Sequence, residues 1–301
     1  PAYYTDYSEM LAKEHLDAVS VCTWNASHKG AAIAALKAGC KVICEKPMAM
    51  SAEEGEEMLR VSKETGNLLM LGFVRRFGND ADIIKKFVDG GTMGDIYYAK
   101  ATYLRRCGCP GGWFGDKEYS GGGPLIDLGV HMIDLAIWLM GSPKPVTVTG
   151  STYCKFADSD TSDSVNSDFG DKVSGGTFDV EDLAMGTIRF DNGAQLQIEF
   201  SWASNIKQEN RFVELRGTKS GLTWRDGDVE VFTEMHGQGC DIHPSNLQPE
   251  KKEHVLNLIN FYDVVIDGKE PVFKPQQGID MIKILCAIYK SAETGREVVL
   301  D

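Results

Sequence analysis

The chain lacks any long apolar run: uninterrupted stretches such as Leu68–Val74 fall well short of the ~20 residues that cross a bilayer as a helix. No basic segment leads into an apolar one near the start, so no secretory leader is legible. Positive charge is scarce. The 31 Lys and Arg stand against 44 Asp and Glu, a formal charge of −13, which argues against nucleic acid or an anionic membrane as partner, because binding phosphate needs a positive surface. Cysteine is thin too, with eight in 301 residues. That is too few for a disulfide scaffold, and reduced thiols in a cytoplasmic protein are the simplest reading. The sequence holds no G-x-S-x-G elbow and no H-E-x-x-H, which removes the serine hydrolases and zincins that use them. What remains is an ordinary globular composition over a length that suggests two domains.

Residues 1–77 alternate short apolar runs with helical patterns, the texture of a parallel α/β layer. Ala18–Cys22 is a β-branched run that predicts a strand buried on both faces. Ala31–Ala38, closed by Gly39, predicts a helix. Lys41–Cys44 and Leu68–Phe73 predict the next strands, with a Ser51/Glu54 capping box opening the helix between them. After a helix over about 80–89 and the Gly90-Gly91 break, the pattern turns to alternating strands at 96–104, 146–153, 183–190, 194–202 and 212–216. Asn192-Gly193 marks a hairpin among them. Helices are expected over about 124–140 and 278–293. The expected fold is α/β plus α+β: a partial Rossmann dinucleotide-binding domain at 1–92, then a domain at 93–301 with a large open, mostly antiparallel sheet. The Asp-rich stretch between Phe156 and Phe178 reads as a solvated loop, since no EF-hand spacing with a closing Glu is present.

Three constellations could carry chemistry. Gly121-Gly122-Gly123-Pro124 opens a helix in which Asp127, His131 and Asp134 recur at helical spacing among strongly apolar neighbours. Burying such groups is costly unless they are paired or used, and an imidazole beside a carboxylate suits proton transfer. A structural Asp–His hydrogen bond is the equally weighted alternative. Glu45-Lys46-Pro47 follows a predicted parallel strand, where open α/β sheets place their ligands, although a lone Lys there is more often ordinary loop. Thr23-Trp24-Asn25-Ala26-Ser27-His28 occupies the same place after another strand, and taken alone reads as helix capping. Cys107-Gly108-Cys109 and the His236, Cys240, His243 loop offer fewer than the four ligands of a structural zinc site, so no metal is expected.

Taken in order, TWNASH, EKP, GFVRRF and GGGPLIDLGVHMID resemble the glucose–fructose oxidoreductase/inositol dehydrogenase (Gfo/Idh/MocA) family of nicotinamide-dependent oxidoreductases. Phe178–Ala184, Arg189–Gly193 and Glu214–Gly221 extend the resemblance along the whole chain. It implies a dinucleotide-binding domain and an open-sheet domain with the active site between them. Hydride would pass between NAD or NADP and a secondary alcohol of a sugar, sugar derivative or cyclitol. Carried over by position, Lys46 is the catalytic lysine and Asp127 and His131 its partners. Thr23, Asn25, His28, Glu45 and Lys46 line the cofactor, and Arg75, Arg76 and Trp113 are weaker substrate-side candidates. The resemblance also implies a homodimer or homotetramer formed through the open sheets. Two other readings of the same fold stand beside it: a non-catalytic cofactor-sensing protein, and an NAD-dependent glycoside-cleaving offshoot.

One departure matters. Members of the family begin with a strand, a G-x-G-x-x-G/A turn and a helix, whereas the early glycines here, Gly30 and Gly39, bracket a helix instead. That turn lets backbone and helix N-terminus approach the pyrophosphate, so a βαβ unit of roughly 30 or more residues is expected to be absent from this chain. NAD-versus-NADP preference is then not legible. The 301-residue chain by itself is predicted to bind nicotinamide dinucleotide weakly or not at all, and calorimetry finding micromolar affinity would contradict this.

Overall fold

Runs of three or four apolar residues set the architecture at the start of the chain. A computed structural model describes residues 2–156, 177–245, 247 and 251–300. The elements α1 (Tyr7–Lys13), β1 (Ala18–Val21), α2 (His28–Lys37), β2 (Lys41–Cys44), α3 (Ala52–Thr65) and β3 (Leu69–Leu71) alternate through the first part. The strands pair in parallel in the order β1-β2-β3. The capping box forms: the Ser51 hydroxyl accepts from Glu54 N–H at 3.3 Å, and the Glu54 carboxylate accepts from Met50 N–H at 3.1 Å. Gly66, in the left-handed region at φ 68°, closes α3. Strands β2 and β3 are buried as the pattern demands. β1 is not, and only Val21 along it is buried. It forms the edge of the described sheet, pairing with β2 alone, so the expectation of burial on both faces fails there.

The remaining elements are α4 (Asn79–Asp89), β4 (Ile96–Leu104), α5 (Lys117–Ser120), a π-helical turn Leu125–Gly129 running into α6 (Val130–Leu139), β5 (Pro145–Tyr153), β6 (Leu183–Phe190), β7 (Gln195–Ser201), β8 (Asn210–Gly217), β9 (Gly221–Arg225), β10 (Asp228–Met235), β11 (Gln238–Ile242), α7 (Glu253–Asp267), α8 (Pro275–Thr294) and β12 (Val298–Val299). Two compact units result, one of residues 1–73 and 254–283, the other of 74–253 and 284–301. The expected boundary near residue 92 thus moves to Phe73/Val74. α4 is the reason: its buried Ala81 and Ile84 belong to the second unit's core, where the helix packs against α6 and β10. α7 returns to the first unit, where Phe261, Val264 and Val265 pack on Ile43 and Met70.

The second unit is built on a nine-stranded sheet in the order β11-β10-β9-β8-β4-β7-β6-β5-β12. Every pairing is antiparallel except β4 with β7. The expected hairpin turn forms at Asn192-Gly193, with Gly193 at φ 85°. Two further hairpins turn on Asp226-Gly227 and His236-Gly237, all four residues at positive φ, the geometry whose twist matches the flanking strands. They extend the sheet beyond Arg216, where the sequence pattern had faded. The Asp-rich stretch read as a solvated loop falls on residues 157–176, outside the described ones.

One stretch, Lys117–Leu139, is long and apolar enough by composition to cross a membrane, but 78% of its most apolar window is buried inside the protein. It is the core helix of the second unit. Its expected regular α-helix over 124–140 is modified, because the first turn is π-helical and α-helix begins only at Val130. Asp134 points into the core and is held by Arg76, with Nε to Oδ2 at 2.9 Å and Nη2 to Oδ1 at 2.5 Å. Both side chains are buried, and the Trp138 ring lies 5.9 Å from the guanidinium. Burial pushes the Asp134 carboxyl up against the pull of Arg76. Arg76, a weaker substrate-side candidate from sequence, is paired with Asp134 in the second unit's core. Breaking such a pair strands a buried charge, so Arg76→Met is predicted to cost about 3–5 kcal/mol in urea denaturation, and Arg76→Met/Asp134→Leu to recover most of it. A single variant within about 1 kcal/mol of wild type would show that the pair does not hold the helix.

Candidate active site

In the first unit, three parallel strands bring their carboxyl ends to one side of the sheet, where α/β folds hold ligands. The ladder continues one residue past β2, with Glu45 N–H donating to Val21 O at 2.9 Å and Gly72 N–H to Cys44 O at 2.8 Å. Beyond it come Thr23 and Asn25 after β1, Glu45 and Lys46 after β2, and Gly72 after β3. Glu45 and Lys46 are half-buried, the Lys46–Pro47 peptide is cis, and the chain dives into the core at Pro47, Met48 and Ala49. Gly72 lies close against Glu45: a Cβ there would sit 3.0 Å from its carboxylate, which would have to shift. Thr23 is exposed and Asn25 is 7% exposed.

His28, expected from the resemblance to line the cofactor, places its ring inside the first unit. Its ring is completely buried, with Nδ1 2.8 Å from Pro47 O and Nε2 3.1 Å from Thr23 O. Burial lowers its pKa. The side chain ties the loop after β1 to the loop after β2 and so sets the backbone that presents Thr23 and Lys46. Both partners are main-chain carbonyls, which leave no signature in a sequence.

In the second unit the glycine-rich constellation meets a different surface. Between Gly122 and Ala136 every residue is buried except two, Asp127 and His131. Two of the three glycines before Pro124 are sterically imposed: a Cβ at Gly123 would fall 1.9 Å from Glu181 O, and one at Gly122 equally close to the Tyr289 hydroxyl; Gly121 takes a left-handed φ of 81°. Asp127 Oδ2 accepts the indole N–H of Trp202 at 3.1 Å. Of the three titratable groups spaced along this helix, Asp134 is thus absorbed by Arg76, while Asp127 and His131 stay half-exposed. Arg75 donates to both carboxylate oxygens of Glu253 at 3.1 Å, so its charge is engaged within this unit. Trp113 is half-buried and stacks on Phe114, with ring centroids 4.1 Å apart. Glu181 and Trp202 were not singled out from sequence. A tryptophan ending a strand advertises an N–H in need of an acceptor, but nothing in the pattern names Asp127 as that acceptor.

Among the described residues no group of three or more His, Cys, Asp or Glu is arranged to hold a metal. His236 sits in the β10–β11 turn and His243 lies 3.3 Å from Glu230. Cys109 is packed in an apolar cluster with Leu128 and Trp202, its thiol pushed up to about 12 by burial.

Residues 1–73 match the model of an oxidoreductase family's NAD-binding Rossmann fold, and residues 85–300 match the C-terminal alpha/beta domain of the same family. The gap between the two brackets the Phe73/Val74 division of the structure. The chain is 35% identical over 299 residues to D-glucoside 3-dehydrogenase of Escherichia coli strain K12, an alignment covering 99% of this chain and 83% of that protein. It is 29% identical over 299 residues to scyllo-inositol 2-dehydrogenase (NAD(+)) of Bacillus subtilis strain 168, covering 98% and 81%. Among solved structures, an oxidoreductase domain protein from Kribbella flavida superposes with TM-score 0.86 at 23% identity, covering 99% of this chain and 84% of the other. Levoglucosan dehydrogenase in complex with NADH and levoglucosan gives 0.83 at 23%, covering 98% and 83%. With both domain models matched in order and the fold shared, the chain belongs to the GFO/IDH/MocA family of oxidoreductases.

Proposed function

We propose that this protein moves hydride between NAD(P) and a secondary alcohol of a sugar, sugar derivative or cyclitol, with Lys46, Asp127 and His131 handling the hydroxyl proton. The observation that carries this reading is the exposure pattern of the core helix: of fifteen consecutive residues only Asp127 and His131 remain open. Related dehydrogenases named for a glucoside and an inositol support the substrate class.

The residues present fit one side of the cofactor. Hydroxyl, amide, carboxylate and ammonium groups at the strand ends (Thr23, Asn25, Glu45 and Lys46) suit a nicotinamide and its ribose, while the residues of this chain supply no glycine-rich cradle for the pyrophosphate. When bound, NAD(P)+ supplies the hydride acceptor. Everything else falls to side chains. Removing hydride from a C–H requires that the hydroxyl on the same carbon lose its proton. In this reading Lys46, half-buried after β2, takes or steers that proton. The Asp127 carboxylate offers negative charge to an ammonium or an imidazolium, and His131 offers a relay to solvent. His28 contributes from behind, by holding the two loops together.

On the outer face of the large sheet, Met185, Tyr153 and Phe232 are exposed among polar neighbours such as Tyr98, Gln195 and Arg216. A broad sheet face with exposed large side chains favours burial against a second copy. The protein accordingly works as a homodimer or homotetramer in the cytoplasm, and light scattering should give at least twice the chain mass. A monomer at micromolar concentration would contradict that.

The catalytic assignment is tested in the NAD(P)-binding holoenzyme with a panel of glucosides, anhydrosugars and inositols, followed through NAD(P)H absorbance. Lys46→Met is expected to lower kcat by about 10²–10⁴-fold on the best substrate, with NADH affinity changed only a few-fold. Turnover that survives the substitution undiminished would remove Lys46 from the mechanism.

A further inference from the structure

The turn that carries Asp127 is gripped by the two ends of one hairpin. β6 begins two residues after Glu181 and β7 ends one residue before Trp202. Glu181 is 7% exposed, and its carboxylate accepts Gly123 N–H at 2.9 Å, Leu125 N–H at 3.1 Å and the Tyr289 hydroxyl at 2.9 Å. A helix start leaves N–H groups without intrahelical partners. Three glycines cannot cap it with side chains of their own, so the acceptor comes from another element. On the opposite side of the turn Gly129 lies against the Phe200 ring of β7, where an added Cβ would be 2.8 Å from Cδ2. The backbone of the π-helical turn is therefore fixed at both ends.

The side chain of Asp127 is fixed by Trp202. That indole is fully buried and its ring meets Phe178 edge-on at 6.4 Å. Its own N–H in the main chain donates to Asp182 O at 3.0 Å. An indole has one donor and no acceptor, and here the donor is spent on Asp127 Oδ2. The bond holds one carboxylate oxygen against the buried indole. A tryptophan serving only as core filler would bury its ring equally well with the N–H turned to a main-chain carbonyl. Aiming it at one of the two half-exposed groups of the helix does something more.

We propose that Trp202 is a positioning residue of this enzyme: its indole N–H fixes the Asp127 carboxylate in the orientation used in turnover. This rests on the reading that Asp127 acts on the substrate proton.

Trp202→Phe, which keeps an aromatic ring and deletes the donor, is compared with Asp127→Asn and the double variant in the cofactor-loaded protein. Trp202→Phe is expected to lower kcat by about ten- to a hundredfold, the scale of a small misplacement of a reacting group, with KM for the sugar within about threefold and a melting temperature lowered by the cavity that the smaller ring leaves. The double variant should be no slower than Asp127→Asn alone. Independently of activity, the five tryptophan indoles are observed by ¹⁵N NMR. The Trp202 resonance should shift in Asp127→Asn, whereas that of Trp224, whose indole donates to Asp80, should not. The NMR arm leaves the core untouched and stands even if Trp202→Phe folds poorly. A folded Trp202→Phe with wild-type kcat, or a Trp202 resonance indifferent to Asp127→Asn, overturns the positioning role while leaving Asp127 in place. Undiminished turnover in Asp127→Asn removes Asp127 itself, and the proposal with it.

Discussion

The second unit depends on seating one strongly apolar helix flat against the inner face of its sheet. The helix spans the π-helical turn at Leu125–Gly129 and α6, and it lies where β7 offers Phe200 and the strand end offers Trp202. Close approach demands glycine at 122, 123 and 129. Glycine in turn forfeits every side-chain cap, and Glu181 makes good the loss. A buried carboxylate is tolerable because it accepts three hydrogen bonds, even though burial pushes its pKa up. Once the helix is seated, Asp127 and His131 are the two positions between Gly122 and Ala136 that stay half-exposed.

The same seating explains an apparent excess of titratable groups in an apolar segment. Asp134, one helical turn along from His131, could have been a third functional residue. It is instead neutralised by Arg76, 58 residues earlier in the chain. A buried pair of this kind does more to specify how α4 and the preceding segment dock on α6 than to add stability. Trp138 flanks the pair, with Lys85 on the same ring. In the first unit His28 plays a comparable part through main-chain carbonyls, binding two strand-end loops into one surface. Functional groups in both units thus stand on polar contacts that are themselves buried.

How much of this could be read in advance follows from the range of each interaction. Local signals were legible: the Ser51 capping box, the Asn192-Gly193 hairpin and the parallel β2 and β3 runs. The Asp226-Gly227 turn was equally local, and it could have revealed the strands beyond Arg216. Long-range pairings were not legible. Nothing within α4 says which core its Ala81 and Ile84 will join, so the unit boundary was placed too late. Helical spacing alone cannot show that Gly129 meets Phe200, or that the first turn widens to a π-helix. Neither could it show that Arg76 and His28 would turn inward, since the partners are a distant carboxylate in one case and two backbone oxygens in the other.

If Lys46 and Asp127 serve a single proton transfer, as proposed, removing either one should remove the other's effect. A double-mutant cycle on kcat with Lys46→Met and Asp127→Asn measures this directly. Residues acting as one device lose their joint effect when either is removed, so the double variant should be about as slow as the slower single one. Strictly additive losses, each substitution costing the same with or without the other, would contradict the account.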